Sequence, residues 1–414
     1  MVDALRGFAV LAILLVHNIE HFIFPVYPTD VPQWLNTLDE LCSKYIFLLF
    51  AGKAYAIFSL LFGFSFYIQY ENLRIQGKDF GYRYLWRLVG LLFFATLNAA
   101  FFPAGDVLLL YAVMGVVLFL VRKWSDKAVL LAAIFFLLQP VEWYHYIMSI
   151  LDSAHQLPDY GVGAMYDKVG EVVKGGNLLE FLWCNITLGQ KASFMWAVGA
   201  GRVMQTAGLF LIGLYIGRKK LFLTSESNIY IWKRIFYISV ILFLPLFTIH
   251  SIYFKEHDVA MMQQTIGTIL DMWHKLAFTF VLVSLFVLQY QKSVFRKAVS
   301  ALQLYGRMSL TNYVSQSFIG AVIYFPIGLY LAPYCGYTLS LVVAMFMFLL
   351  QMLFCKWWLK SHKQGPLESL WRRWTWMNEM QSKEQRVQMT EYRVQSTEYR
   401  VQSTEYSGKM KEQR

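Results

Sequence analysis

The strongest constraint on this chain is a series of ten apolar runs, each close to the length that crosses a bilayer. The runs fall at residues 7–26, 45–70, 84–103, 105–121, 128–150, 198–217, 231–254, 266–290, 309–331 and 337–359. A helix of about 20 apolar residues spans the hydrocarbon core of a membrane. Hydrophobic residues make up 57% of the chain and charged residues 15%, whereas a soluble protein is about a quarter charged. The sequence therefore predicts an all-α, multi-pass membrane protein and excludes a single water-soluble domain.

Basic residues set the predicted orientation, because the cytoplasmic loops of membrane proteins are enriched in lysine and arginine. They are concentrated in every second loop and after the last run: Arg74, Lys78, Arg83, Arg87, Arg122, Lys123, Lys127, Arg218, Lys219, Lys220, Lys233, Arg234, Lys292, Arg296, Lys297, Arg307, Lys356, Lys360, Lys363, Arg372 and Arg373. Ten alternating spans place all of these loops on one side, so both termini are predicted to be cytoplasmic. The net charge of +11 follows from the same loops and does not indicate nucleic-acid binding.

The predicted domain organisation is a transmembrane helical domain at 1–363 followed by two short regions. The longest predicted extracytoplasmic segment is 151–197, and two interpretations of it stay open: a roof over an outer site, or a solvated connector. Three tryptophans and two arginines in 364–380 predict an anchor at the membrane interface. Residues 381–414 contain three near-identical polar heptads (RVQMTEY, RVQSTEY, RVQSTEY), which predict a disordered tail.

Ionisable side chains inside the predicted spans are candidate functional groups, because each costs about 2.5–3.5 kcal/mol at the centre of a membrane helix. Arg6 and His17 are eleven residues apart, close to three helical turns, which predicts one shared face and a separation of about 16 Å along the axis. Glu20 and His21 follow His17 at three and four residues and are expected on the same face. A histidine with a carboxylate in reach is the equipment of a general base. The alternative is that these groups only pair with other helices or line a polar cavity.

A metal site is a second interpretation of the same residues. The sequence HNIEH at 17–21 has the form H-x-x-E-H, in which two histidines hold zinc and the glutamate acts as base. Asp271, His274 or His250 would supply a third ligand. Short motifs of this kind arise by chance, and no other element of a metalloprotease accompanies this one, so the sequence assigns no metal ligand.

Five sequence blocks resemble the YeiB-like family of bacterial membrane proteins, the domain of unknown function 418. They are 3–9 (DALRGFA), 52–53 (GK) with 58–63 (FSLLFG), 105–112 (GDVLLLYA), 306–313 (GRMSLTNY) with 316–317 (QS), and 365–368 (GPLE). The resemblance runs from residue 3 to about residue 376 in the family's order. It implies a multi-pass protein of the bacterial inner membrane.

A wider resemblance suggests a reaction. The spacing of Arg6 and His17 is similar to the R-x10-H motif of the acyltransferase-3 membrane enzymes. Those enzymes, heparan-α-glucosaminide N-acetyltransferase and the YeiB-like proteins are thought to share a transmembrane acyltransferase fold. In that group acyl-CoA enters from the cytoplasm, and a histidine assists acyl transfer to a hydroxyl or amine reached from the other side. The resemblance thus implies acyl-CoA as co-substrate, no permanently bound cofactor, and an envelope glycan or lipid as acceptor.

The resemblance and the buried charges together predict the roles of nine residues. The predicted catalytic residues are His17 as base, with Glu20 or Asp271 to stabilise the imidazolium. The predicted cofactor-binding residues are Arg6, Lys53 and Arg307, and Arg83 and Arg87 offer further cations for the phosphates of CoA. The predicted substrate or oxyanion residues are Asn98, Asp106 and His274. A transporter, a non-catalytic membrane protein and a homodimeric assembly stay open as alternatives.

Overall fold

A computed structural model describes residues 1–78, 80–256 and 260–376, and within these ranges the chain is helical with no β-strand. The first helices are α1 (Val2–Ile19), α2 (Gln33–Phe50), α3 (Ala54–Ile75), α4 (Gly81–Phe101), α5 (Leu108–Val121), α6 (Asp126–Leu137), α7 (Pro140–Leu151), α8 (Val162–Gly175) and α9 (Leu178–Cys184). The next are α10 (Gln190–Gly199), α11 (Arg202–Arg218), α12 (Glu226–Glu256), α13 (Ala260–Met262), α14 (Thr268–Gln289), α15 (Ser293–Ala298), α16 (Ser300–Arg307), α17 (Ser309–Tyr324) and α18 (Tyr337–Trp358). A C-terminal helix follows at 366–376. Short π-helical turns occupy Asn185–Gly189 and Gln263–Gly267, and a 3-10 turn occupies Ala332–Tyr334.

The described helices form a multi-pass membrane protein. Six segments are long and apolar enough to cross a bilayer, and the number rises to eight when two bent helix pairs each count as one span. The bent pairs are α6 with α7, at 49°, and residues 178–199 with α11, at 76°. Helices α5 and α17 have 14 and 16 residues, so each is shorter than the hydrocarbon core of about 30 Å. The all-α membrane prediction is confirmed, and the finer count of ten spans stays a prediction.

The second predicted span, 45–70, is divided by a break at 51–53. Helix α2 ends before the break and α3 begins after it, and Gly52 has a φ of +76°. Glycine accepts this left-handed conformation without strain, and a Cβ there would lie 2.7 Å from Cδ of Lys275. The break places Lys53 at the start of α3, buried within the bundle. The expected continuous run is therefore corrected to two helices.

Helix α1 ends at Ile19, which corrects the expectation that its face continues to His21. Glu20 closes the helix, and the next three residues, 21–23, have φ values of 46°, 56° and 59°. Left-handed backbone is costly for residues other than glycine, and it persists only where surrounding contacts impose it. The turn therefore re-aims the chain immediately after the predicted base, His17.

The contacts that impose this turn are made by His21. Its Nδ1 lies 2.9 Å from the carbonyl oxygen of Val26, and its Nε2 lies 2.8 Å from Oγ of Ser340. The ring also stacks on Tyr324, with the centroids 4.5 Å apart. Because both ring nitrogens of His21 already contact the protein, this geometry disfavours the H-x-x-E-H zinc interpretation, in which His21 is a ligand.

Close helix crossings bring two of the family-like blocks together. A Cβ on Gly7 of α1 would overlap the carbonyl oxygen of Leu302 in α16, and a Cβ on Gly306 would overlap that of Asp3. Small residues of this kind let membrane helices approach at backbone distance. The crossing brings Arg6, beside Gly7, close to Arg307, beside Gly306.

Candidate active site

A cavity of about 580 Å³ lies on the side of the bundle that carries the cationic loops. Its walls come from α1, α3, α4, α5, α16, α17 and the C-terminal helix. Among its lining residues Glu368 is the only carboxylate. Five arginines line the cavity: Arg6, Arg83, Arg87, Arg307 and Arg372. The structure thus brings together four cations that the sequence had predicted for CoA phosphates, and it adds Arg372.

Two of these arginines belong to the family-like blocks that cross at α1 and α16. Nη1 of Arg6 donates to Oδ1 of Asp3 at 2.8 Å, and Nη2 donates to Oγ of Ser65 at 3.0 Å. Arg307 donates to the carbonyl oxygen of Lys363 at 2.6 Å. A guanidinium has five N–H donors, so both retain donors for an anion in the cavity.

The C-terminal helix forms one wall of the cavity by packing its tryptophans on α4. The guanidinium carbon of Arg87 lies 3.6 Å from the ring centroid of Trp371, and that of Arg83 lies 4.5 Å from Trp376. Nε1 of Trp371 donates to the carbonyl oxygen of Arg87 at 2.9 Å. These cation–π contacts hold the guanidinium planes in place. The tryptophans that predict an interfacial anchor thus also build the cavity, while residues 377–380 lie outside the described ranges.

Glu368 fastens this helix to the start of α17. Its carboxylate accepts hydrogen bonds from the backbone N–H groups of Leu310, at 2.7 Å, and Thr311, at 3.1 Å. It also accepts one from Oγ1 of Thr311 at 2.6 Å. Burial raises the pKa of the Glu368 carboxyl, against the opposing effect of the Thr311 hydrogen bonds. A carboxylate that accepts from the first N–H groups of a helix acts as its cap.

The inner end of the cavity lies close to His17. Ile13 lines the cavity and precedes His17 by one helical turn on α1. The His17 ring centroid lies 4.7 Å from that of Phe102 and 6.4 Å from that of Tyr313, which also lines the cavity. Tyr313 therefore stands between the cavity and the predicted base.

His17 does not form the predicted pair with a carboxylate. Within the described ranges the imidazole has no hydrogen-bond partner, and its neighbours are aromatic rings. Glu20 interacts electrostatically with Arg202, because the end of α1 turns its backbone away. Asp271 bonds to Lys275 instead. Both nitrogens of His17 thus stay available to a bound substrate.

Asn98 and Asp106 lie together beside the turn between α4 and α5. Nδ2 of Asn98 donates to Oδ1 of Asp106 at 3.1 Å, and its Oδ1 accepts from Oγ of Ser317 at 2.7 Å. Asp106 also accepts from the N–H of Leu108 at 3.0 Å. Only one amide hydrogen of Asn98 remains for the predicted oxyanion contact, since the other holds the turn.

Tyr313 is a site residue to which the sequence analysis assigned no role. Its hydroxyl donates to the carbonyl oxygen of Gly105 at 2.8 Å and accepts from the N–H of Val107 at 3.4 Å. The tyrosine belongs to the family-like block 306–313, and Gly105 belongs to another such block. In the sequence, only its position in the block 306–313 could have pointed to Tyr313. No sequence spacing between Tyr313 and His17 indicates that the two rings come close.

A second group of charges, the α14 cluster, consists of Lys53, His250, Asp271, His274 and Lys275. Nζ of Lys275 lies 2.6 Å from Asp271, and Nε2 of His250 lies 3.5 Å from the same carboxylate. Lys53 interacts electrostatically with Lys275 and Asp271, and its ammonium donates to a backbone carbonyl at 3.4 Å. None of the five lines the cavity. Lys53 thus lies apart from Arg6 and the cavity, because the break before α3 carries it into this cluster, and its predicted cofactor role stays a prediction.

The α14 cluster also contains a set of potential metal ligands. Ligand atoms of His250, Asp271 and His274 lie within 4.8 Å of one another. The ammonium of Lys275 already occupies one oxygen of Asp271, and Lys53 is a second cation nearby. Two ammonium groups at this distance disfavour a divalent cation by charge repulsion.

The comparisons with known proteins agree with the family-like blocks. The family described as "Protein of unknown function (DUF418)" matches residues 216–378. No solved structure matches the chain. The family match therefore covers four residues of the α14 cluster (all except Lys53), the family-like blocks 306–313 and 365–368, and the C-terminal helix.

Three relatives extend the similarity over nearly the whole chain. The Bacillus subtilis (strain 168) protein named "Uncharacterized protein YxaH" is 26% identical over 404 residues, which cover 91% of this chain and 94% of the relative. The Escherichia coli (strain K12) protein named "Uncharacterized protein YeiB" is 27% identical over 389 residues, covering 90% and 95%. The Bacillus acidopullulyticus "Uncharacterized 39.9 kDa protein in amylase 3'region" is 25% identical over 395 residues, covering 90% and 92%. The family match and these relatives support the resemblance of the chain to the YeiB-like membrane proteins.

Proposed function

We propose that the chain is a membrane-bound acyltransferase that moves an acyl group, such as acetyl, from cytoplasmic acyl-CoA to a hydroxyl or amine of a cell-envelope glycan or lipid. The observation that carries the proposal is the arginine-lined cavity whose inner end lies one helical turn from His17. Phosphates are bound best by guanidinium groups, and the cavity has five. The proposed placement of the chain in the transmembrane acyltransferase group rests on the similarity of the Arg6–His17 spacing to the R-x10-H motif.

The proposed reaction assigns one task to each end of the site. CoA phosphates bind among the arginines, and the thin pantetheine chain extends along α1 over the distance of about 16 Å between Arg6 and His17. Tyr313 moves aside or orients the thioester there. His17 takes the proton from the acceptor while the acceptor oxygen or nitrogen attacks the thioester carbonyl. The C–S bond then breaks, and the imidazolium returns its proton to the CoA thiolate.

Acetyl-CoA binding is the direct test of this proposal. Isothermal titration of the purified full-length protein should show acetyl-CoA binding. Arg6→Ala should weaken it about 10- to 100-fold, because a hydrogen bond to a charged group contributes about 1.5–3 kcal/mol. Arg74→Ala is the matched control, since Arg74 is exposed, pairs with Glu71 and does not line the cavity. Absence of binding to the wild-type protein would contradict the acyltransferase proposal.

The proposed topology is ten spans with both termini in the cytoplasm, in the bacterial inner membrane. It places the mouth of the cavity on the side where acyl-CoA is available. Reporter fusions after Lys220 and after Arg373 should both give cytoplasmic signals, because both positions follow cationic segments. A periplasmic signal at either position would contradict this topology.

A transporter is the second candidate function, and a specific observation favours it. Two spans are sharply bent, α6 with α7 and residues 178–199 with α11. Discontinuous helices are typical of the binding sites of secondary transporters. Transport without acetyl-CoA binding would support this function over the first.

A further inference from the structure

The two bent spans meet at their bends. Gln139, between α6 and α7, has a φ of 60°, and Gly201, between α10 and α11, has a φ of +67°. A Cβ on Gly201 would lie 3.1 Å from Oε1 of Gln139 and 3.2 Å from Oε1 of Glu142. Two side-chain oxygens from the first bent pair are therefore directed at the space that the missing side chain of Gly201 leaves in the second.

This junction lies deep in the predicted membrane domain. Gln139 is the central residue of the fifth predicted span, 128–150, and helix rise places it about 20 Å from the start of α6. The π-helical turn Gln263–Gly267 adjoins the junction, and Cγ2 of Thr268 lies 3.1 Å from the same point beside Gly201. Irregular backbone at membrane depth occurs where it is buried in protein or lines a site, and π-turns are frequent at functional sites.

The polar groups at the junction lack partners. Gln139 is 0% exposed and Glu142 is 5% exposed. Within the described ranges, both polar atoms of the Gln139 side chain and Oε2 of Glu142 have no hydrogen-bond partner. Each buried polar atom left unsatisfied costs about 1–3 kcal/mol, and a charged one costs more. Three unsatisfied polar atoms at one buried point indicate that a ligand completes the site.

No cationic side chain neutralises Glu142 in the part of the chain that the structure describes. Arg202 is adjacent in sequence to Gly201, but its guanidinium carbon lies 4.3 Å from the ring centroid of Tyr55 and 4.9 Å from that of Trp196. No salt bridge joins any described lysine, arginine or histidine to Glu142. A buried carboxylate without a counterion is strongly disfavoured.

We propose that the junction of the two bent spans binds a monovalent metal cation through the Glu142 carboxylate and the Gln139 amide oxygen. Hard cations prefer oxygen ligands of these two kinds, and divalent cations such as Ca²⁺ usually take several carboxylates. One carboxylate balances one positive charge. The site contains neither His17 nor a residue of the cavity, so it stands independently of the proposed acyl transfer.

The test measures thermal unfolding of the purified full-length protein in NaCl, KCl and choline chloride at equal ionic strength. A cation that binds only the folded state stabilises it by RT ln(1 + [L]/Kd), so Tm should rise with the logarithm of the Na⁺ or K⁺ concentration above Kd, and above the choline series. Glu142→Gln should abolish the rise, because it removes the charge while keeping the shape. Gln139→Met should reduce the rise, because it removes the amide oxygen. Glu171→Gln, the same change at an exposed carboxylate, should leave it intact.

Three results would overturn the cation site. The first is an equal Tm for the wild-type protein in all three salts. The second is a rise of Tm with Na⁺ or K⁺ in Glu142→Gln or in Gln139→Met that equals the wild-type rise. Either variant suffices for this result, so the test holds even if the other fails to fold. The third is a Tm that rises on acidification in the wild-type protein but not in Glu142→Gln, with no rise in NaCl or KCl, because it would show that Glu142 takes up a proton and no metal ion. Binding of ²²Na⁺ to the wild-type protein, competed by unlabelled NaCl, gives a readout that does not depend on folding.

Discussion

The arginine-lined cavity and the α14 cluster both gather charge inside the helical domain, but they compensate it differently. In the α14 cluster, Lys275 and Asp271 form a direct pair at 2.6 Å. In the cavity, the lining residues include five arginines and one carboxylate, Glu368, which is occupied as a helix cap, while Arg6 pairs with Asp3 just outside the lining. A charge pair inside the fold contributes to the structure, whereas an excess of one sign among the lining residues of a cavity favours an external ligand of the other sign.

His17 lies apart from both regions, beyond the inner end of the cavity. It has aromatic neighbours and, within the described ranges, no hydrogen-bond partner. A group that the fold does not hold by polar contacts is available to a reacting molecule. We therefore expect anion binding in the cavity, a structural role for the α14 cluster and chemistry at His17, and each expectation can be tested separately.

The largest effect is expected from His17→Ala. If the imidazole is the base, the variant should lose about 10²- to 10⁴-fold in acetyl transfer, with acetyl-CoA affinity nearly unchanged because binding energy comes from the arginines. Acetyl release measured beside isothermal titration separates these quantities. His362→Ala, at an exposed histidine, should change neither. Equal losses of transfer and affinity would show that His17 shapes the cavity and is not the base.

A smaller effect, on stability alone, is expected from Asp271→Asn. The change leaves the Lys275 ammonium without its carboxylate, near the second cation Lys53, and should destabilise the protein by about 3 kcal/mol. Asp271→Asn combined with Lys275→Met should recover most of the loss, because it removes the stranded charge. Thermal unfolding measures both. A large drop in acetyl-CoA affinity in the single variant would mean that the cavity and the α14 cluster are one site.

Membrane class and the grouping of the arginines were predictable from the sequence. Apolar runs of span length and alternating cationic loops are signals of period and composition. They sufficed to place Arg6, Arg83, Arg87 and Arg307 on one side, and the helix crossings then bring them to one cavity.

The breaks within spans were not predicted, although each carries a local signal: Gly52 at 51–53, Pro140 directly after the bend at 138–139, and Gly201 at 200–201. The bends at 138–139 and 200–201 and the break at 51–53 lie inside or beside apolar runs. The end of α1, in contrast, gave no local signal, since HNIEHF contains neither proline nor glycine. That turn depends on the bond between His21 and Ser340, which are 319 residues apart. Local patterns therefore predicted the elements, and long-range contacts decided which charges meet.

The smallest effect is expected at the wall of the cavity, from Glu368→Ala. The substitution leaves the N–H groups of Leu310 and Thr311 without their acceptor, which should cost about 1–3 kcal/mol and loosen the C-terminal helix from α17. Because Trp371 stacks on Arg87 at 3.6 Å, loosening should also weaken acetyl-CoA binding a few-fold and change tryptophan fluorescence. Truncation after residue 382 is the matched control: it removes the predicted disordered tail, which lies outside the described ranges, and should leave Tm and affinity unchanged. If the truncation weakens acetyl-CoA binding and Glu368→Ala does not, the tail and not the C-terminal helix forms this wall of the cavity. The arginine-lined cavity would then depend on residues outside the described ranges.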